Sequence, residues 1–247
     1  MTGCAIVVGA SKGIGKSLVI SLASSYPSLP IIAIARGISS QESEFSSISS
    51  NIKLVDADIS TQEGLSAILD CIEHKVQFLI LNAAIEGLTW DEMPGWDEWD
   101  KVMNTNAGSH FFLARDLRSK YTEDARILFI SSRDSKSYLI PLSFYCISKA
   151  AQNMVYEVIK AEIPEVSVGW MDPGVVETAL SEYAGQKVPE AKSLEKLSPL
   201  MVAKFLRFLL SDKVGPIEFS SEMWNIYEEK HHTRWVEKGD IAPKNPD

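Results

Sequence analysis

Ala5-Ile6-Val7-Val8-Gly9-Ala10-Ser11-Lys12-Gly13-Ile14-Gly15 reads as a buried strand that runs into a glycine-rich turn and then a helix. Four apolar residues in succession suit a strand covered on both faces, as in a parallel sheet. Glycines at 9, 13 and 15 let the backbone turn tightly. They also let a pyrophosphate approach the helix N-terminus, where unpaired N–H groups and the dipole favour an anion. The strand before and the helix after supply the context that such a turn requires. Gly15-Lys16-Ser17 has the ending of a triphosphate-binding loop, but that motif needs its first glycine at position 10, which is Ala10.

The alternation continues outward from this stretch. Residues 31–35, 52–55, 78–81, 127–130 and 166–170 read as short buried strands rich in Ile and Val. Between them, residues 15–24, 61–74, 97–117 and 143–163 show helical spacing. Strands alternating with helices predict an α/β fold, a doubly wound parallel sheet of the Rossmann kind in a single domain over 1–247. The Ser-rich piece 38–50 reads as a loop with a short polar helix, and 201–210 as an amphipathic helix. Residues 179–200 are expected to form a substrate-side loop or lid, and 216–247 a C-terminal tail. Within that tail Pro216–Phe219 reads as a last short strand. The aromatic segment 223–235 is expected to pack on the domain or on a second subunit.

Composition narrows the function. A chain of 247 residues with 45% hydrophobic content buries a substantial core. A net charge of −9 argues against nucleic acid or an anionic membrane as the main partner. Cys4, Cys71 and Cys146 form no C-x-x-C pair, so reduced thiols are expected, with no disulfide frame and no metal site. The N-terminus has no basic region before an apolar run, so a cytoplasmic location is expected.

Chemistry enters with Tyr145 and Lys149. Four residues apart on a helix, they share one face. An ammonium beside a phenol is expected to lower the phenol's pKa from about 10 toward working pH, making Tyr145 a proton donor or acceptor. Strand 31–35 is followed by Arg36, with no acid to hold a ribose 2′-hydroxyl, and Lys12 lies in the glycine loop. Two cations there favour a 2′-phosphate, so the expected cofactor is NADPH/NADP.

With these residues in place, the chain resembles the short-chain dehydrogenase/reductase family over residues 4–210. The motifs stand in family order: Gly9-x-x-x-Gly13-x-Gly15, Asp58-Ile59, Asn82-Ala83-Ala84, Asn106, Ser131-Ser132, Tyr145-x-x-x-Lys149, and Pro173-Gly174 with Thr178. Ser132 lies 13 residues before Tyr145, the family's spacing for its serine. The resemblance implies a catalytic set of Asn106, Ser132, Tyr145 and Lys149. Hydride from NADPH would reach a carbonyl carbon while Tyr145 protonates the oxygen. Ser132 would hold that oxygen, Lys149 would lower the Tyr145 pKa and bind the nicotinamide ribose, and Asn106 would hold a water in a proton relay. It also implies cofactor contacts from Gly9, Ser11, Lys12, Gly13, Ile14, Gly15, Arg36, Asp58, Ile59, Asn82, Ala83, Tyr145, Lys149, Pro173, Gly174, Val176 and Thr178.

Departures from the pattern include Val8, Arg133-Asp134 after the serine, and Ala84, which is tolerable there if its φ is negative. The Lys12–Arg36 pair and Pro173-Gly174-Val175-Val176 look most like the sepiapterin-reductase and benzil-reductase branch. Asp134, Tyr138, Glu86 and Trp170 are pocket candidates, and Glu218 or Glu222 could anchor a pterin. The expected function is an NADPH-dependent carbonyl reductase acting on a small aromatic or dicarbonyl substrate. The alternatives are a non-catalytic NADP(H) sensor or scaffold on the same fold, and an NAD-dependent alcohol dehydrogenase. A homodimer or homotetramer is expected through helices 108–120 and 148–163.

Overall fold

Fully buried, β1 (Cys4–Val8) lies inside the sheet and feeds the glycine turn into α1 (Gly13–Ser25). The computed structural model describes residues 3–87, 89–138, 142–187, 196–220 and 223–238. The chain continues through β2 (Ile31–Ala35), α2 (Glu42–Ile48), β3 (Ile52–Asp56), α3 (Gln62–Cys71) and β4 (Val76–Leu81). Then come α4 (Trp96–Met103), α5 (Ser109–Asp116), β5 (Tyr121–Ile130), α6 (Ser143–Glu162) and β6 (Ser167–Asp172). The last elements are α7 (Ala179–Lys187), α8 (Pro199–Leu209), α9 (Pro216–Phe219), β7 (Met223–Asn225) and α10 (Glu229–Lys238).

Among the described residues seven strands form one sheet in the order β3-β2-β1-β4-β5-β6-β7, every pair parallel. From β1 the chain steps outward to β2 and β3, then returns across the sheet to β4. The crevice at that reversal, beyond the carboxyl ends of β1 and β4, is where open α/β sheets take ligands. Each face is covered by its own apolar core. On one side Leu18 and Leu22 of α1 join Phe205 and Leu206 of α8; on the other, Leu113 of α5 and Ile159 of α6 cover the sheet. Fully burying one such side chain contributes about 1.5–3 kcal/mol.

Two expectations change, and a third is met in one of its two forms. Pro216–Phe219 is one helical turn, and the last strand is Met223–Asn225. Pro216 at the first helical position lacks only an N–H that a helix start leaves unpaired, and the Glu218 carboxylate accepts the Gly215 N–H at 3.3 Å. The single helix expected over 97–117 is broken by a widened π turn, Asn104–Gly108, between α4 and α5. Such single-turn widenings occur often at functional sites. The aromatic tail packs on its own domain: Trp224 and Trp235 are buried, with Phe205 of α8 at 6.4 and 5.1 Å between ring centroids. Among the described residues no helix is long and apolar enough to cross a membrane.

Candidate active site

The glycine turn is shaped by close approach. Gly9 has φ +83°, and a Cβ there would lie 2.7 Å from the Ala83 Cα. A Cβ on Gly15 would lie 2.1 Å from the Gly9 carbonyl oxygen. Asn82 donates from Nδ2 to that same carbonyl at 3.0 Å, tying the turn after β4 to the turn after β1. Gly13, with φ +56°, faces Thr178: its Cβ would lie 3.1 Å from the threonine methyl. Gln41 Nε2 donates to the Ser11 carbonyl at 3.1 Å. Lys12 caps α1 without a side-chain hydrogen bond, and the first turn of α1 holds no acid. A cradle closed to side chains, at an uncapped helix start with no negative charge, fits a dinucleotide pyrophosphate.

At the end of β2 the fold supplies what the strand's own sequence does not. Asp56 and Asp58, from the end of β3, both reach this corner. The Gly37 N–H donates to Asp56 Oδ1 at 2.8 Å, and Arg36 lies 3.6 Å from Asp58 Oδ2. Arg36 therefore has an acid beside it, although its side chain is 54% exposed. Asp58 also accepts from the Ser60 N–H and hydroxyl; burial raises its pKa, but these bonds together with Arg36 lower it. Lys12 acts on Glu86 across the cleft, partly offsetting the burial that raises that carboxyl's pKa.

The candidate proton-transfer residues lie on one face of α6, where Tyr145, Ser148, Lys149, Gln152 and Tyr156 are buried at helical spacing. Ser132 follows β5 in extended conformation, accepts the Asp134 N–H at 3.2 Å, and lies close enough to the Tyr145 phenol to lower its pKa. Its neighbour Ser131 donates to Asn153 Oδ1 at 2.7 Å. Asp134 Oδ2 lies 3.3 Å from the Ser132 hydroxyl.

Electrostatics here reverse one expectation. Tyr145 is only 7% exposed, and burial pushes its phenol well above the usual range, helped by the Asp134 and Glu86 carboxylates. The Ser132 hydroxyl opposes this without overcoming it. Lys149, 2% exposed, does not donate to the phenol: it donates to the Ile130 carbonyl at 2.9 Å and to Gln152 Oε1 at 3.0 Å. Its Nζ stands 5.8 Å from the centre of the Tyr145 ring. Burial pulls the ammonium down to about 7, against the supporting charges of Asp172 and Asp134.

Asn106, in the π turn, is fully buried. Its Oδ1 accepts the Ile85 N–H at 2.8 Å, and its Nδ2 donates to the Ile85 carbonyl at 2.7 Å and the Ser148 hydroxyl at 2.8 Å. Both amide protons are engaged, and Asn106 clamps the turn after β4 to α6. Ala84 is not among the positive-φ residues, so its methyl fits.

At the end of β6, Asp172 accepts the Gly174 N–H at 2.9 Å and is 3.3 Å from Asn225 Nδ2. Gly174 has φ +67°, and a Cβ there would lie 2.4 Å from the Tyr227 ring, so the tail backs the Pro173–Gly174 turn. Buried Val176 pairs with Leu197 in an isolated bridge. Over the cleft, α7 meets the 85–93 loop: Tyr183 donates to the Gly87 carbonyl at 3.4 Å, and Lys187 pairs with Glu92 at 3.0 Å.

Of the pocket candidates, Asp134 and Glu86 face Tyr145. Trp170 is core, stacked on Tyr156 at 5.1 Å, and Tyr138 is 84% exposed. Glu218 is taken by the Gly215 N–H and an ion pair with Arg234, so it is no pterin anchor. Glu222 and residues 188–195 of the expected lid lie outside the described residues. Sequence reasoning missed Gln152, Ser148, Asp172 and His110. The first two share the helical face of Tyr145 and Lys149, a signal that spacing alone carried.

A parallel sheet of this strand order is a Rossmann-type fold, the class of nucleotide-binding α/β enzymes. A family model described as short chain dehydrogenase matches residues 3–189, and the chain belongs to that family of oxidoreductases. It is 26% identical over 236 residues to an NADPH-dependent aldehyde reductase 2, chloroplastic, of Arabidopsis thaliana, covering 84% of this chain and 87% of that one. It is also 26% identical over 185 residues to a 2-dehydro-3-deoxy-D-gluconate 5-dehydrogenase of Pseudoalteromonas atlantica, with 70% and 72% covered. The angucycline C-6 ketoreductase LanV, solved with bound NADP, matches with a TM-score of 0.75 at 18% identity over 90% of this chain and 93% of that one. The KRED1-Pglu enzyme matches at 0.79 and 20% identity, covering 90% and 100%.

Proposed function

We propose that the protein is an NADPH-dependent carbonyl reductase. The observation that carries this reading is Tyr145 beside Ser132 on the Lys149 face of α6, at the crevice behind the glycine cradle. Gly9, Ser11, Lys12, Gly13, Ile14 and Gly15 would hold the pyrophosphate, and Asn82 and Ala83 pack the cradle from behind. Arg36 and Lys12 would meet the 2′-phosphate, whose two negative charges would draw Arg36 from Asp58. Asp58 and Ile59 would border the adenine. Pro173, Gly174, Val176 and Thr178 would orient the nicotinamide, and Lys149 would bind its ribose. The bound cofactor supplies the hydride. Ser132 would donate to the carbonyl oxygen and keep it in register with the phenol. A phenol whose pKa is raised stays protonated at neutral pH, and the reductive direction needs it so. Tyr145 is thus a ready acid that protonates the developing alkoxide.

The relatives support this direction, since one of them is named an NADPH-dependent aldehyde reductase. The likeness to the sepiapterin- and benzil-reductase branch points to a small aromatic or dicarbonyl substrate. Phe112, Ile147, Met154 and Val158, apolar and exposed along α5 and α6, support a homodimer or homotetramer through these helices. Tyr145→Phe tests the mechanism: turnover of a carbonyl substrate should fall by about 10²–10⁴ while NADPH affinity holds. Turnover like that of the parent protein would sink it.

A further inference from the structure

The buried polar chain that begins at Lys149 runs deeper than the proposed catalytic group. Gln152, one helical turn further along α6, accepts a Lys149 proton on Oε1 at 3.0 Å, and its Nε2 lies 2.8 Å from Nδ1 of His110 on α5. Gln152 and His110 are both fully buried. Chemistry fixes every orientation in this chain. An ammonium only donates, so Gln152 must turn its oxygen to Lys149. The amide nitrogen, also only a donor, then faces His110, whose Nδ1 must accept. The imidazole is therefore neutral, with its proton on Nε2. Burial and the Lys149 charge keep it so, pulling His110 down to about 3. Nε2 lies toward the main chain of Ala83 in the turn after β4, without meeting hydrogen-bond geometry there. Phe129 packs edge-on to the ring at 6.3 Å. An amide and an imidazole buried at this depth cost more than apolar side chains would, unless their hydrogen bonds hold something that needs holding.

We propose that Gln152 and His110 are positioning residues for Lys149. The neutral imidazole locks the Gln152 amide so that its oxygen always faces the ammonium, keeping Lys149 charged and aimed along the Tyr145 face of α6. The inference rests on the reading of Lys149 as the cation that supports proton transfer, but its test does not depend on turnover. The charged or titratable groups acting on Lys149 come from three sides: Asp172 from β6, Asp134 from the turn after β5, and His110 from α5. Tyr145 shares its own helix.

The experiment is an NMR titration of Lys149 in protein labelled at lysine Cε, with the signal assigned by its loss in Lys149→Arg. Gln152→Met, near in shape but without an acceptor oxygen, should lower the Lys149 midpoint by about one pH unit, the size expected for one hydrogen bond to a charged group. His110→Leu frees the amide to flip and should lower it too. His110→Asn puts an acceptor oxygen where Nδ1 stood and should restore the midpoint. A purely structural role would lower the melting temperature of these variants and leave the midpoint in place. An unmoved midpoint in either apolar variant overturns the proposal. Failure of the reductase reading would appear separately, as absence of carbonyl reduction by the unaltered protein.

Discussion

At the scale of the residue, depth of burial governs the chemistry. Burial pulls Lys149 down to about 7 in the fold, against about 10.4 in an unfolded chain. Between those values the unfolded chain holds a proton that the native protein has lost, so the stability contributed by Lys149 rises as pH climbs through that window. Urea denaturation should therefore show that Lys149→Met loses part of the gain between pH 7 and 9 that the unaltered protein shows; identical pH slopes would refute this. Tyr145 acts in the opposite sense: its raised phenol loses stability as pH passes about 10, where the unfolded tyrosine ionises. For the reaction itself, kcat/KM for reduction should fall as pH rises above about 7 and Lys149 discharges while Tyr145 stays protonated. The pairing of Tyr145 with Lys149 was legible in the sequence because helical spacing needs no third dimension. The direction of the tyrosine shift was not. It depends first on how deeply the fold buries the phenol, then on Asp134 and Glu86 arriving from two other loops, while the lysine bonds to Ile130 and Gln152 instead.

Among the elements, the first strand, its glycine turn and the helix after it were read correctly from their order in the chain. What the residues could not show is how tightly that turn closes. Gly15→Ala would place a methyl 2.1 Å from the Gly9 carbonyl, against backbone that cannot yield cheaply. Dinucleotide affinity should drop at least about tenfold, or about 1.4 kcal/mol, as read by direct titration. Gly37→Ala is the control: no atom lies within 4 Å of its Cβ, so its cost is the backbone strain of φ +66° alone, with cofactor affinity close to the parent's. Pro216–Phe219 was misread because four residues with two large apolar side chains suit a strand or a helix turn equally well, and the capping by Glu218 decides it. Helix α7 is latched by Lys187 on Glu92, whose carboxyl is held down at about 2, first by the Thr89 N–H and hydroxyl and then by Lys187. That contact contributes above pH about 4.5 and is lost as pH falls toward 2, so protease cleavage of α7 should rise across that range.

On the scale of the whole molecule, strand order makes the site. Gly9, Asn82, Ser132 and Pro173 lie far apart in sequence, yet each follows a neighbouring strand of one parallel sheet, β1, β4, β5 or β6. Alternating strands and helices made that arrangement readable, and the family resemblance placed the motifs along it. Side chains that cross between elements stayed hidden: Asp58 beside Arg36, Trp170 turned into the core, and the tail closing over Gly174. Met154 is 63% exposed on α6, and the proposed pairing through α5 and α6 predicts that Met154→Lys shifts the protein toward monomer in light scattering; an unchanged mass would overturn that pairing. The central claim is tested most directly by following NADPH, with NADH in parallel, as the purified protein meets benzil, diacetyl and a set of aromatic aldehydes. Consumption of NADPH in clear preference to NADH, with at least one of these carbonyls, is the predicted result. Preference for NADH, or tight NADPH binding with no consumption across the set, would contradict it.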